Sequence, residues 1–361
     1  MSDAPPRAKA PTPLAARLMA EIAAAGPIGV DAYMAACLLD PTHGYYATRE
    51  PFGQKGDFTT APEISQMFGE LLGLALAQSW LDQGAPARFT LAELGPGRGT
   101  LMADLLRATA TVPGFLAAAE IHLVEASPRL RAAQADRLSG HNPSWHDHTQ
   151  DLPQTPLYLI ANEFFDALPI RQYLRLDSSW AERRIGLRDG RLAFGLGPPL
   201  PDPPLDTRPG DILETCPMAP PIMAEIATRI ARHGGTALIL DYGDWQGTGD
   251  TLQALHQGRP DPPLAHPGQA DLTAHVQFAP LAAAARAAGA KPSALTPQGT
   301  LLQRLGIDTR AARLAERLTG PARASHLAAH RRLTAPQEMG TLFKALAVVP
   351  PDAPPPPGFD P

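Results

Sequence analysis

The sequence predicts an α/β protein built on a doubly wound, parallel sheet. From residue 88 onward, short apolar strands alternate with helical segments. The clear strands are Phe89–Leu94, Ile121–Val124, Leu157–Ala161, Thr236–Leu240 and Leu342–Val349. A glycine-rich turn follows the first strand, and acidic residues stand at the ends of the next two. Such alternation is typical of sheets whose ligands bind beyond the carboxyl ends of the strands.

Length and composition limit the class of protein. The chain has 361 residues, 44% hydrophobic and 19% charged, which excludes bulk disorder. Its formal net charge of −5 argues against a protein that coats nucleic acid. Cys37 and Cys216 are too few for a disulfide framework, and no apolar run suits a membrane span or a signal peptide. We therefore expect a cytoplasmic protein with reduced thiols.

Proline content and helical spacing divide the chain into regions. We expect a disordered tail over 1–12, a helical and lid segment over 13–87, and an α/β domain over 88–349. Residues 350–361 form a Pro-rich tail that we expect neither to pack nor to pair with a strand.

Local signals define the segments before the sheet. Residues 13–25 have helical spacing, and 41–61 is rich in Gly, Pro and Thr, which indicates a long ordered loop. Thr60-Ala-Pro-Glu63 matches a capping box, which predicts that a helix with an apolar face starts there.

Two insertions interrupt the alternation of strands and helices. Over about 170–214, polar and apolar residues alternate at a period of two, and Asp189-Gly190 is a strong hairpin turn signal. We expect an antiparallel element there. A second insertion, over about 295–338, has the composition of two or three helices, split by Gly320-Pro321.

The glycine-rich turn carries the most specific chemical signal. It reads Glu93-Leu-Gly95-Pro-Gly97-Arg-Gly99-Thr100, between a strand and a helix. Its spacing fails the Gly-x-Gly-x-x-Gly/Ala dinucleotide fingerprint, and no P-loop Gly-Lys-Ser/Thr follows. An acid two positions before the first glycine favours a cationic ligand without phosphate. S-adenosylmethionine carries an ammonium and a sulfonium, and Glu93 can offset that charge.

Two further strand ends supply candidate site residues. Glu125 ends the second strand, where a carboxylate can accept hydrogen bonds from ribose hydroxyls. Asn162, Glu163 and Asp166 follow the third strand, so we expect them to face the pocket. Carboxylates there can pair with a guanidinium and orient one nitrogen for methyl transfer. A capped helix or a surface loop is the alternative interpretation, because Asn and Asp are common turn formers.

No metal site is expected from the sequence. His146-Asp-His148 has loose spacing and no evident third ligand, so a solvated loop is the preferred interpretation.

Longer strings between residues 13 and 349 carry a family resemblance. They are Asp40-Pro-x-x-Gly-Tyr-Tyr46, Phe52-Gly-x-x-Gly-Asp-Phe-Thr-Thr-Ala-Pro-Glu-Ile-Ser65, Phe68-Gly-Glu70, Glu93 to Thr100, Ala161 to Pro169, Asp241-Tyr-Gly243, Pro267 to Val276, Gly299 to Ile307 and Met339 to Lys344. Together they resemble the MidA-like family of S-adenosylmethionine-dependent methyltransferases, homologues of the mitochondrial complex I assembly-factor arginine methyltransferase.

The resemblance implies a fold, a donor and an acceptor. The fold is the class I, Rossmann-like, seven-stranded methyltransferase fold with an N-terminal helical segment and inserted antiparallel and helical elements. The donor is S-adenosyl-L-methionine, and the acceptor is an arginine in a core subunit of respiratory complex I. By position, the implied donor residues are Gly95, Gly97, Gly99 and Glu125, with Gly56, Asp57 and Thr60 in a segment that closes over the donor. The implied acceptor residues are Asn162, Glu163 and Asp166.

Three other functions stay open at this point. A small-molecule methyltransferase would use the same donor, and a non-catalytic assembly factor would retain only the donor-binding fold. A dehydrogenase is the weakest alternative, because the dinucleotide fingerprint fails.

Overall fold

The computed structural model describes residues 11–48, 60–201 and 207–360. The helices in these ranges are α1 (Pro13–Ala25), α2 (Val30–Leu39), α3 (Tyr45–Thr48), α4 (Ala61–Ile64), α5 (Gln66–Asp82), α6 (Thr100–Thr109), α7 (Phe115–Ala118), α8 (Pro128–Arg137), α9 (Ala219–His233), α10 (Phe278–Ala287), α11 (Gln298–Arg304), α12 (Ile307–Ala315) and α13 (Gly320–Thr334). The strands are β1 (Ile28–Gly29), β2 (Phe89–Leu94), β3 (Ala119–Val124), β4 (Ser144–His146), β5 (Leu157–Asn162), β6 (Arg171–Arg175), β7 (Trp180–Arg188), β8 (Arg191–Leu200), β9 (Ile212–Thr215), β10 (Gly235–Asp244), β11 (Gln253–His256), β12 (Arg259–Asp261), β13 (Asp271–Thr273), β14 (Val276–Gln277), β15 (Lys291–Pro292), β16 (Thr296–Pro297) and β17 (Phe343–Val349). Among the described residues, no helix combines the length and apolar character needed to cross a bilayer.

These elements form two compact units. One contains Met1–Pro51, Pro169–Thr215 and Thr248–Ala274, and the other contains Phe52–Leu168, Cys216–Gly247 and His275–Pro361.

The second unit is built on a mixed central sheet. Its strand order is β15-β17-β10-β5-β2-β3-β4, and β10, β5, β2, β3 and β4 run parallel. The last strand, β17, is antiparallel to β10, so the expectation of a parallel sheet is wrong for Phe343–Val349. A fully apolar run indicates burial on both faces, but it carries no information about strand direction.

Helices cover both faces of this sheet. Successive residues of β2 point to opposite faces, and Leu91 belongs to a core shared with α5 and α6. Its neighbour Ala92 belongs to a second core shared with α9 and α10. The carboxyl ends of the parallel strands therefore form an edge where polar side chains can meet.

The first unit contains the antiparallel element that the sequence predicts. Strands β1, β7, β6 and β9 form one sheet in that order, with β8 paired to β7. Asp189 and Gly190 connect β7 to β8 with φ values of 51° and 70°, which confirms the hairpin turn. A three-stranded sheet, β12-β11-β13, lies in the same unit.

The predicted capping box at Thr60-Ala-Pro-Glu63 is wrong. The Thr60 side chain makes no capping hydrogen bond, and α4 is a single turn. The long helix α5 begins only at Gln66, where the Ser65 hydroxyl accepts from the Met67 N–H. Glu63 accepts instead from the Thr100 hydroxyl at 2.6 Å, at the start of α6.

The expectations for the 41–61 loop and for the C-terminal Pro-rich tail also need correction. Residues 45–48 of the expected 41–61 loop are helical, and 49–59 lie outside the described residues. The Pro-rich tail does pack, because Phe359 is only 7% exposed and belongs to the same core as Leu301. Proline prevents ladder pairing, but it does not prevent an aromatic side chain between turns from being buried.

Candidate active site

The glycine turn after β2 adopts a conformation that requires glycine. Gly95, Gly97 and Gly99 have φ values of 59°, 52° and 76°, in the left-handed region. A Cβ on Gly95 would also lie 3.0 Å from the Phe164 ring. The Gly95 N–H donates to the carbonyl of Val124, which ties the turn to β3.

A cleft lies beside this turn, at the carboxyl ends of β2 and β5. Its lining residues are Thr60, Pro62, Glu63, Glu93, Gly95, Pro96, Gly97, Arg98, Thr100, Leu101, Asn162 and Glu163. The fold therefore brings the glycine-rich turn together with Asn162 and Glu163, at the end of β5. Arg98 and Glu63 also line the cleft, and the sequence did not identify either of them as a site residue.

Glu93 is a buried carboxylate on the wall of this cleft. Its side chain is 4% exposed, and its Oε2 has no hydrogen-bond partner among the described residues. Burial raises the pKa of Glu93 to about 8, and the negative charge of Glu125 adds to this rise. A buried, protonated acid with one oxygen that lacks a hydrogen-bond partner is suited to a cation, because the cation would stabilise its ionised form.

Glu125 lies just beyond the end of β3 with both carboxylate oxygens engaged. Oε1 accepts from the Ser127 N–H at 2.8 Å, and Oε2 accepts from the Gln134 amide at 3.2 Å. Burial raises the pKa of Glu125. It is not among the residues that line the cleft, so its contact with a ribose stays a prediction.

Asn162 and Glu163 bring an amide and a carboxylate to the cleft. Glu163 has a φ of 51°, an uncommon conformation for a residue other than glycine, and such strain clusters at functional sites. Its Oε1 accepts from the Ala61 N–H and from the Asn162 amide, both at 3.0 Å. Burial raises the pKa of Glu163 to about 7. Asn162 Oδ1 is buried without a hydrogen-bond partner among the described residues.

Asp166 and Asp241 form a buried acidic pair next to the cleft. Asp241 Oδ2 accepts from the N–H groups of Phe164, Phe165 and Asp166, at 3.2, 3.0 and 3.2 Å. Burial raises the pKa of Asp166, and it raises the pKa of Asp241, which also faces the charges of Asp166 and Glu163. Asp166 itself is not among the lining residues.

Sequence reasoning did not identify Asp241 as a site residue. Its signal was present, since Asp241-Tyr-Gly243 falls on the strand that turns out to lie beside β5. Of the expected closing segment, Thr60 lines the cleft, whereas Gly56 and Asp57 lie outside the described residues.

The residues present fit S-adenosylmethionine. The positive-φ glycines keep side chains away from the turn, and two buried oxygens, Glu93 Oε2 and Asn162 Oδ1, lack partners that a cationic ligand with N–H donors would provide. The central sheet has seven strands in its main order, with β17 antiparallel, and a glycine-rich turn next to an acidic residue follows β2. These features define a class I methyltransferase that depends on S-adenosylmethionine.

Comparisons with known proteins give the family. Residues 71–296 match the family described as "Putative S-adenosyl-L-methionine-dependent methyltransferase". The chain is 36% identical to the mitochondrial protein arginine methyltransferase NDUFAF7 of Bos taurus, over 94% of this chain and 84% of that protein. It is 37% identical to the Xenopus tropicalis protein of the same name, over 92% and 85%. The chain therefore belongs to this family of S-adenosylmethionine-dependent methyltransferases.

A solved structure supports the fold and the donor. A Burkholderia thailandensis protein bound to S-adenosyl-homocysteine has a TM-score of 0.80 and 30% identity, over 96% of this chain and 92% of that one. The expected fold class and methyl donor are thus confirmed.

The names of the similar proteins contradict the expected cytoplasmic location. The relatives from Bos taurus, Xenopus tropicalis, Drosophila melanogaster and Homo sapiens are all named as mitochondrial proteins. The expectation rested on two reduced cysteines and on the lack of an apolar run, and these properties do not distinguish one reducing compartment from another.

Proposed function

We propose that this methyltransferase modifies an arginine of a protein, and that the acceptor is a subunit of respiratory complex I. The observation that carries the proposal is the half-buried carboxylate of Glu163 on the cleft wall, beside the buried acids Asp166 and Asp241. A guanidinium is the cationic nucleophile best matched to such a carboxylate, because it donates in a planar fork. The names of the curated relatives support the same acceptor chemistry.

The donor side of the proposed site uses the strand ends of β2 and β3. Gly95, Gly97 and Gly99 would lie against the donor, because glycine permits close approach of a ligand to the backbone. Glu93 would offset the donor's positive charge, and Glu125 would accept from its ribose hydroxyls. Gly56, Asp57 and Thr60 belong to the segment that would close over it.

The acceptor side uses the string after β5. Glu163 Oε1 is held by two N–H donors, so Oε2 would be the oxygen that pairs with the guanidinium. Asn162 Oδ1 would accept a further N–H from the acceptor. Asp166 would act from the buried pair with Asp241, because charge on Asp166 raises the pKa of Glu163 and makes Glu163 a better proton acceptor.

The proposed chemistry is an in-line displacement at a methyl carbon. The donor supplies a methyl group activated by a sulfonium, so a guanidinium nitrogen forms the new N–C bond as the S–C bond breaks. The nitrogen then carries one proton too many, and Glu163 would accept it before it passes to solvent. Orientation by Glu163 and exclusion of water by the surrounding segment would account for most of the rate.

The test uses the full chain with methyl-labelled S-adenosylmethionine and a lysate from a strain that lacks the gene. We expect label in one protein band, on an arginine identified after digestion, and loss of that label with Glu163→Gln. Glu316→Gln, an exposed glutamate of the same unit, is the matched control and should label normally.

Two outcomes would overturn the proposal. Label in small metabolites with no labelled protein would indicate a small-molecule methyltransferase. Co-purification of a complex I subunit without any methyl transfer, while donor binding is intact, would indicate an assembly factor without chemistry.

A further inference from the structure

A second group of ligand-type side chains lies in the first unit, outside the candidate active site. It consists of His256, Asp261 and His266, which we call the His–Asp–His cluster. Each residue offers one ligand atom, and these atoms lie within 4.8 Å of one another. His266 Nδ1 lies 2.7 Å from Asp261 Oδ2, and the two imidazole rings stack with centroids 4.1 Å apart.

Strand register explains how these residues meet. In the β11–β12 hairpin, Ala254 pairs with Asp261, so His256 lies two residues along the same face of the sheet. Side chains diagonally opposed in this way are within reach of one another. His266 follows after a turn. Five residues separate His256 from Asp261 and Asp261 from His266, and because this spacing matches no familiar ligand motif, the sequence did not reveal the cluster.

The segment that carries His266 is tied down on both sides of that residue. The Tyr33 hydroxyl donates to the carbonyl of Pro263 at 2.7 Å, and the Thr12 hydroxyl donates to the carbonyl of Pro267 at 2.8 Å. These bonds fix the backbone on either side of the imidazole. Ligands that are held before binding lose little conformational freedom when an ion arrives.

We infer that the His–Asp–His cluster binds one divalent transition-metal ion, with Zn²⁺ as the best match. Two imidazoles and one carboxylate are a set that Zn²⁺ accepts, whereas Mg²⁺ and Ca²⁺ prefer all-oxygen ligands. Metal–ligand bonds of about 2.1 Å in a tetrahedron place donor atoms about 3.4 Å apart. The most distant donor atoms, up to 4.8 Å apart, must therefore approach by up to about 1.4 Å, and His266 Nδ1 and Asp261 Oδ2 must separate from 2.7 Å. Tilting of the two stacked rings supplies that movement, and water completes the fourth position.

The test is a titration of the chelator-treated full chain. Isothermal calorimetry with ZnCl₂ is expected to show one saturable site, and Co²⁺ is expected to give visible absorption bands from nitrogen and oxygen ligands. MgCl₂ should give neither signal. Loss of an outer partner alone lowers metal affinity 10–100-fold, so loss of a ligand in His266→Ala or His256→Ala should weaken Zn²⁺ binding by more than about 100-fold.

The matched control is His141→Ala, an exposed histidine of the other unit, which should bind Zn²⁺ as the wild type does. Circular dichroism and thermal unfolding of each variant report whether both units are folded. The inference is overturned if the wild type shows no saturable Zn²⁺ site, or if the double variant His256→Ala/His266→Ala retains it. Asp261→Asn supplies a second check, because it keeps the size of the side chain and is expected to weaken binding.

Discussion

We expect donor binding to depend on the protonation state of the buried acid Glu93. With a pKa of about 8, its carboxyl is about 90% protonated at pH 7 in the donor-free protein. A bound cation favours the ionised form, so the pKa of Glu93 should fall towards its ordinary value when the donor binds. We therefore expect the wild type to release about 0.9 proton per donor at pH 7 and only about 0.1 at pH 9.

Calorimetry in buffers of different ionisation enthalpy measures this number directly. The slope of the observed binding enthalpy against the buffer ionisation enthalpy gives the protons released. Glu93→Gln should remove the share of the proton release that comes from Glu93. It should also weaken donor binding at pH 9, where Glu93 of the wild type is already ionised. Other buried acids contribute equally to both proteins, so equal slopes for the wild type and Glu93→Gln would refute this reasoning.

The same pKa also predicts how stability depends on pH. Without donor, the folded state binds more protons than the unfolded state between pH 4.5 and about 8, so the free energy of unfolding should fall as pH rises through that window. The full effect corresponds to at most ~5 kcal/mol, from the difference between the two pKa values. Denaturant unfolding at pH 5 and pH 8.5 should show this fall in the wild type and less of it in Glu93→Gln.

Four substitutions test separate parts of the site and the core. Gly97→Val should abolish donor binding by calorimetry, because valine at a φ of 52° is strained by about 1–2 kcal/mol and its side chain would enter the cleft; retained affinity would contradict this placement. Glu163→Gln should lose methyl transfer but keep donor affinity, and unchanged turnover would remove it from the mechanism. Asp241→Asn should cost about 1–3 kcal/mol of unfolding free energy and slow methyl transfer. Both carboxylate oxygens of Asp241 accept main-chain N–H bonds, and an amide cannot accept at both ends. Unchanged stability would argue against a role for Asp241 in holding the main chain. Phe359→Ala should lower stability by about 3 kcal/mol without changing donor affinity, whereas a dispensable tail would show no change.

Elements with a local signal could be predicted from the sequence. The strand at Phe89–Leu94, the turn with Gly95 to Gly99 and the Asp189-Gly190 hairpin each depend on residues that are neighbours in the chain. Their conformations follow from glycine's freedom and from side-chain alternation, which need no knowledge of the rest of the fold.

Features set by distant contacts could not be predicted in this way. Asp241 holds the turn after β5 only because β10 lies beside β5 in the sheet, some 75 residues further along the chain. Glu63 bonds Thr100 rather than capping its own helix, because α4 and α6 lie close together in the fold. The direction of Phe343–Val349 likewise depends on the path of the chain, and its apolar composition suits either direction.

The raised pKa values at the strand ends have a common explanation in the charges that the proposed reaction brings together. A sulfonium and a guanidinium repel one another, so a site that holds both requires negative charge close by, which Glu93 and Glu163 can supply once cations bind. While both cations are present, the pKa of Glu163 should lie below about 7, and the carboxylate should be ionised and able to orient the nucleophile. Methyl transfer removes the sulfonium charge and leaves a proton on the acceptor nitrogen. The pKa of Glu163 should then return towards about 7, so the residue that we propose to position the guanidinium would be able to take the proton in the same step that produces it.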